Sequence, residues 1–147
     1  MKLTVTTPLA IILETDGVAH VRAEDDSGVF GILSGHAAFL TALSVSVVSW
    51  RDAAGTDHHV AVRGGMLTVR NGQTITIATR EAVADDDLRH LQSEVLTGFT
   101  RRDEEEHTAH LDAQRLYLAA VRQIYHFLRL KRPGGMPRLL RPEELEP

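Results

Sequence analysis

"TITIATREAVADDDLRHLQSEVL", residues 74–96, contains the change of period on which the fold turns. As far as Ala78, threonine and isoleucine alternate, the period of two expected of a half-buried strand. From Leu88 the apolar residues Leu88, Leu91 and Val95 recur at helical spacing on one face. Three aspartates precede them, where a carboxylate caps free N–H groups and complements the positive end of a helix. A strand-rich part therefore closes near Val83 and a helical part opens at residue 84.

Upstream of that boundary the punctuation is turn chemistry. "TDG" at Thr15–Gly17, "AAGTD" at residues 53–57 and "NG" at Asn71-Gly72 separate alternating runs near 3–7, 9–14, 18–24, 29–33, 44–51, 57–63, 66–70 and 74–79. Asn71-Gly72 is the clearest hairpin signal, because both residues accept the positive φ of a type I′ turn. Gly64-Gly65 reads as a bulge or a close backbone approach. Short strands joined in this way predict an antiparallel sandwich or barrel over residues 1–83.

Downstream, the first helix is expected to end at "TGFT", with Gly98 as the breaker, and a second to run from about Asp103 to Leu130. Leu111, Leu118 and Tyr125 recur every seven residues and interleave with Gln114, Val121 and Leu128, the seam of a helix packed on one other helix. The fold class predicted is thus an all-β sandwich or barrel followed by a C-terminal α-helical hairpin over residues 84–132. Residues 133–147, which open on Pro133 and are rich in proline, are expected to form a mobile tail. Arg115, Arg122 and Arg129 form a stripe beside the seam. It reads either as a solvated face or as a docking surface for an acidic protein.

Composition removes several function classes. The chain has 147 residues, 43% hydrophobic and 24% charged, with few aromatics and no cysteine, so thiolate metal sites, disulfides and cysteine nucleophiles are excluded. A net charge of −4 argues against nucleic acid as a partner. The start alternates polar and apolar residues rather than following the plan of a signal peptide, so no export is expected. The longest nearly apolar stretch, residues 37–48, is well short of the roughly 20 residues of a spanning helix, and direct membrane insertion is not expected.

Among reactive residues, His36 and Ser34 lie two apart in "GVFGILSGHAAFLTAL", residues 28–43, with no acid marked to orient the imidazole and no G-x-S-x-G pattern. His107 and His110 lie three apart on the second helix, close enough to share an ion, but the partner helix offers only His90 and Glu94. A solvated polar face is the expectation there, and no metal. His58 and His59 should point to opposite faces of a strand. No phosphate-binding glycine loop occurs.

The segment at residues 28–43 resembles the epsilon subunit of the F-type ATP synthase. Gly28, Gly31, Ile32, Leu33, Gly35, His36, Ala37, Phe39, Leu40, Thr41 and Leu43 fit that family's pattern, as do Thr7-Pro8, "VRGGMLTVRNGQTITIA" and Asp86-x-x-Arg89. The resemblance covers about residues 3–90 and implies a non-catalytic accessory rotor subunit without a cofactor. Val29, Phe30, Ser34, His36, Phe39 and Arg63 would face the gamma subunit and the c subunits of the rotor ring. The hairpin, through Arg115, Arg122 and Arg129, would approach the catalytic alpha and beta subunits and impede ATP hydrolysis. The implied location is peripheral, on the cytoplasmic face of a bacterial inner membrane.

Some family members bind ATP through a motif like I-D-x-x-R-A. Asp86 and Arg89 fit it, whereas Asp85 and His90 do not. Ser34 and Ala38 stand where prolines are usual. Such departures suit a divergent or alternate-operon branch. The alternative reading is a free-standing nucleotide-binding sensor whose helices act as a lid.

Overall fold

The computed structural model describes residues 1–130. In chain order the elements are β1 (Lys2–Thr6), β2 (Ile11–Thr15), β3 (Val18–Asp25), β4 (Gly28–Leu33), β5 (Phe39–Asp52), β6 (Asp57–Arg70), β7 (Thr74–Ala78) and β8 (Ala82–Ala84). Then come a helical turn α1 (Leu88–His90), a π-helical turn (Leu91–Val95) and the long helix α2 (Leu96–Leu130). By contact density the chain divides into two compact units, Met1–Glu104 and Glu105 onward. The expected tail at 133–147 lies outside the described residues.

Strand order is β2-β1-β7-β6-β5-β3-β4, with β8 against β6; β1 and β7 are parallel and the other pairs antiparallel. The two 14-residue strands β5 and β6 make this a sandwich, because each serves both layers. Their first-to-last register is unbroken, and only the Ser44–Gly64 step drops out of the ladder. One half of β6 carries β8 along Val60–Val62 and the other carries β7 along Met66–Arg70.

Alternation then fills the space between the layers. Leu3, Val5, Leu67, Val69, Ile75 and Ile77 come from one layer and Val21, Ile32, Val48, Val60 and Val62 from the other, all essentially without solvent exposure. Each such side chain is worth roughly 1.5–3 kcal/mol relative to leaving it in water.

Two glycine positions matter to this geometry. Asn71 and Gly72 have φ of 53° and 62°, the expected type I′ turn. Gly64 and Gly65 have φ of 66° and 112°, and a Cβ at Gly65 would collide with the Ala78 carbonyl. The pair therefore bends one strand where the sequence pattern suggested two, at 57–63 and 66–70. β5 likewise begins at Phe39, and β8 is a strand that the alternation did not mark.

The helical part is corrected in one respect. Asp87 caps α1, accepting from the N–H groups of Arg89 and His90 at 3.0 and 3.3 Å, as its position predicts. The expected break at Gly98 does not occur, and the hairpin is replaced by one helix through Leu130. Gly98 costs a helix only about 1 kcal/mol. That cost is offset at once, since Phe99 is 3% exposed and packs with Leu91 on Ala61 of β6. Arg102 pairs with Glu81, and Asp103 with Arg63. β6 is thus covered on both faces, by the core at Val60 and Val62 and by the helix at Ala61 and Arg63.

Candidate functional site

The loop between β4 and β5 is held by its own main chain. Gly35 N–H donates to the Gly72 carbonyl at 2.9 Å, and a Cβ on Gly72 would lie 2.7 Å from Gly35 Cα, so the loop and the β6–β7 turn press together. Gln73 Nε2 donates to Ser34 Oγ at 2.6 Å. His36 donates its N–H to the Leu33 carbonyl at 3.1 Å, and its Nδ1 lies 2.8 Å from the Ala37 carbonyl, which places the proton on Nδ1. Its ring meets Phe39 edge-on at 5.7 Å, and Phe39 meets Phe30 in the same way at 5.6 Å. Ser34 and His36 thus have separate partners, and the imidazole braces a loop rather than activating the hydroxyl.

What this scaffold presents is apolar. Val29 and Leu33 of β4 are exposed, and Leu40, at the start of β5, is 63% exposed. The outer face of the adjoining layer carries Leu40, Thr68, Thr76 and Thr4 in one cross-strand row and Ala42, Met66, Ala78 and Thr6 in the next. Along β5, β6, β7 and β1 neither row holds a charge; the first row meets Glu14 where it passes onto β2, and Lys2 and Arg70 flank it in the row beyond. Uncharged rows of this kind, with large apolar side chains in contact with water, are the form of a docking surface. Sequence reasoning found the loop but missed the face; the signal was the run of Thr, Ala and Met at every second position of β6 and β7.

Arg63 is drawn into the fold. It is 8% exposed, with Nη1 3.0 Å from Glu81 and Nε 3.0 Å from Asp103. Glu81 also pairs with Arg102, whose guanidinium, more than Arg63's, holds the carboxyl below its usual range. Arg63 lines the floor of an open cavity of about 710 Å³ together with Thr6, Pro8, Met66 and Arg80. Its charge fastens α2 to β6.

Asp86 and Arg89 flank the entry to the helix. Asp86 is largely exposed and lies 3.3 Å from His58 Nδ1, while His58 Nε2 lies 3.1 Å from Asp52 and its ring stacks on Trp50 at 5.4 Å. His90 bonds Asp85 at 2.8 Å. His58 and His59 do face opposite sides, His59 bonding Ser49 Oγ at 2.8 Å. No signal in the sequence joined His58 to Asp86, since the pair is 28 residues apart.

On α2, Arg115, Arg122 and Arg129 are exposed, Arg115 lying 3.7 Å from Asp112. The seam is exposed too: Leu118 by 54%, Val121 by 42% and Tyr125 by 72%. His110 contacts Gln114 at 3.2 Å, and among the described residues no three His, Asp or Glu side chains converge as metal ligands. No helix among them is long and apolar enough to cross a membrane.

Residues 1–85 match the family described as ATP synthase, Delta/Epsilon chain, beta-sandwich domain. The chain is 37% identical over 132 residues to the ATP synthase epsilon chain 2 of Paraburkholderia xenovorans, covering 90% of this chain and 95% of that one. It is 39% identical over 128 residues to the epsilon chain 2 of Cereibacter sphaeroides, covering 87% and 88%. Among solved structures, a chain of the Euglena gracilis mitochondrial ATP synthase (OSCP/F1/c-ring) superposes with a TM-score of 0.55 at 26% identity, over 61% of this chain and 56% of that one. A chain of the Tetrahymena thermophila mitochondrial ATP synthase central stalk/c-ring shares the fold, with a TM-score of 0.51 at 20% identity over 78% and 95%.

Proposed function

The chain belongs to the ATP synthase delta/epsilon family as a central-stalk subunit of an F-type ATP synthase, and we propose that it couples gamma to the rotor ring through the uncharged rows of its sheet face and the adjoining loop. Gamma takes the face of Leu40, Thr68, Thr76, Ala42, Met66 and Ala78. The c subunits meet the β4–β5 loop around Val29, Leu33 and His36, which Phe30, Phe39 and Ser34 brace from within. Torque transmission favours such a site, because a loop braced by a type I′ turn and two aromatic contacts yields little under load. The single observation that carries this reading is the pair of uncharged rows at the centre of that face, left open on a sandwich whose core is complete without them.

The subunit is accessory: by itself it performs no catalysis, and its ring partner holds it at the cytoplasmic face of a bacterial inner membrane. The two bacterial relatives both bear the designation epsilon chain 2, which supports a second-type synthase branch. The α2 seam, with Arg115, Arg122 and Arg129 beside it, supports a role in restraining hydrolysis by docking an acidic surface of alpha and beta.

The ATP motif is not filled. Asp85, Asp86, Asp87 and Glu94 crowd the segment that carries Arg89, and a triphosphate brought there meets carboxylates. We therefore assign no nucleotide to it, and against the sensor reading we expect no shift in melting temperature with ATP.

The direct test is titration of gamma with wild type, Leu40→Glu and Met66→Glu. Both side chains are exposed, so folding should survive. A carboxylate buried at the centre of the contact should weaken binding by about 2 kcal/mol or more, roughly thirtyfold. Unchanged affinity in both variants rules out this face as the gamma site.

A further inference from the structure

Two histidines at the junction of sandwich and helix each stand between two carboxylates. His58 on β6 turns Nε2 to Asp52 Oδ2 at 3.1 Å and Nδ1 to Asp86 Oδ1 at 3.3 Å. His90 on α1 turns Nδ1 to Asp85 Oδ2 at 2.8 Å and Nε2 to Glu94 Oε2 at 3.3 Å. A neutral imidazole has one N–H and one bare nitrogen. Either ring can donate to both of its neighbours only as imidazolium; in the neutral ring a lone pair confronts a carboxylate oxygen.

The position of these bridges gives them leverage. Asp85 and Asp86 belong to the three-residue connection from β8 to α1, Asp87 caps α1, and Asp85 N–H donates to the His59 carbonyl at 3.3 Å. This connection leads straight into the segment whose Leu91 and Phe99 pack on Ala61. That segment is itself lightly wound: Leu91–Val95 forms a π-turn, and Ser93 and Thr97 turn their hydroxyls back onto the carbonyls of Arg89 and Ser93. Asp85 and His90 are also the two positions that depart from the ATP motif.

We propose that this junction is a proton-responsive fastening: imidazolium at His58 and His90 holds the helical segment 88–99 on the sandwich, and loss of those protons loosens it. The inference stands on the chain's own fold, not on its place in the rotor.

The surrounding charges point the same way. Around His58 are Asp52 at the end of β5, Asp86 in the connection and the stacked Trp50 ring, and the nearby Arg51 and Asp57 neutralise each other at 2.8 Å. Around His90 are Asp85, Asp87 and Glu94, with Arg89 an exposed cation on the same turn. Deprotonating both rings therefore makes a carboxylate-rich junction two charges more negative.

His58 is held above the ordinary imidazole value of 6.5 by its bond to Asp52 first and to Asp86 second, and His90 by its bond to Asp85 first. A raised native value means that the contribution is complete below 6.5 and is lost as pH rises through that native value. Asp52 is lowered first by the Thr56 N–H and then by His58; Asp85 is lowered first by the Asp87 N–H and then by His90. Both carboxylates stay charged across that window, and their own contributions fade only as pH falls through their lowered values.

The test uses the full chain, wild type and the double variant His58→Gln/His90→Gln. Amide exchange of residues 88–99 is followed from about pH 6 to about pH 8.5, corrected for intrinsic exchange, alongside an NMR titration of the histidine rings. Wild-type protection should fall about two- to fivefold across that range, the scale of exposed charge pairs, while the double variant should show one constant level. Constant protection in wild type, or the same fall in the double variant, overturns the proposal. Should the double variant not fold, the wild-type titration decides. Ring values above 6.5 together with the fall in protection uphold the fastening, and values at or below it refute it.

Discussion

Two stretches of helical chain, 88–103 and 105–130, show what the same secondary structure can be for. In the first, Leu91 and Phe99 are buried on Ala61, and Arg102 and Asp103 pair with Glu81 and Arg63. In the second, Leu116, Tyr117, Leu118, Ile124, Tyr125, Phe127 and Leu128 are all exposed. Hydrophobicity is similar in kind, but its use differs. The first stretch packs on the sandwich, whereas the second leaves its apolar side chains exposed. The division of the molecule after Glu104, rather than at the change of sequence period near Val83, follows from those anchoring contacts.

The sharpest way to break this contrast is a matched pair of substitutions. Phe99→Ala should cost about 3–5 kcal/mol of stability in urea unfolding, the cost of an aromatic removed from a packed site. Tyr125→Ala should change it by less than about 0.5 kcal/mol. Equal effects would erase the distinction. Arg63→Ala comes next. Loss of one partner from a buried ion cluster costs about 3–5 kcal/mol, and because Glu81 and Asp103 remain partly hydrated we expect about 1–3 kcal/mol here. A neutral result would make the cluster ornamental.

Charge reversal on the exposed stretch probes its use. Arg115→Glu/Arg122→Glu should leave folding intact and raise ATP hydrolysis of the assembled synthase, by about fivefold if each contact is worth under 1 kcal/mol. Unchanged hydrolysis removes the restraining role. The smallest effect is the most informative about the helix itself: Gly98→Ala should stabilise the chain by about 0.5–1 kcal/mol, since nothing lies within 4 Å of the added methyl. Destabilisation would mean that the isolated chain turns at Gly98 after all.

The sequence-level reading succeeded where the signal is local. Asn71-Gly72 specified its turn through backbone sterics, Asp87 specified a cap through one side chain, and strict alternation specified which residues face the core. It failed where a distant partner decides. Gly98 looked like a breaker because the burial of Phe99 depends on Ala61, 38 positions earlier in the chain. Gly64-Gly65 was legible as a bulge or close backbone approach, but the neighbour it admits, Ala78 on another strand, was not. The ion pairs of Arg63 were not legible, because Glu81 and Asp103 reach it only through the fold. Segment 28–43 was legible as a candidate site by resemblance, but the bond from Gln73 to Ser34 and the open face beside it were not.

The central claim is that residues 1–104 are the rotor-binding body and that the exposed helix beyond them serves other contacts. Titrating gamma with the chain truncated after Glu104 tests it most directly. The account predicts a folded protein that binds gamma within about twofold of the full chain. Failure to fold, or loss of gamma binding with the fold intact, would contradict it.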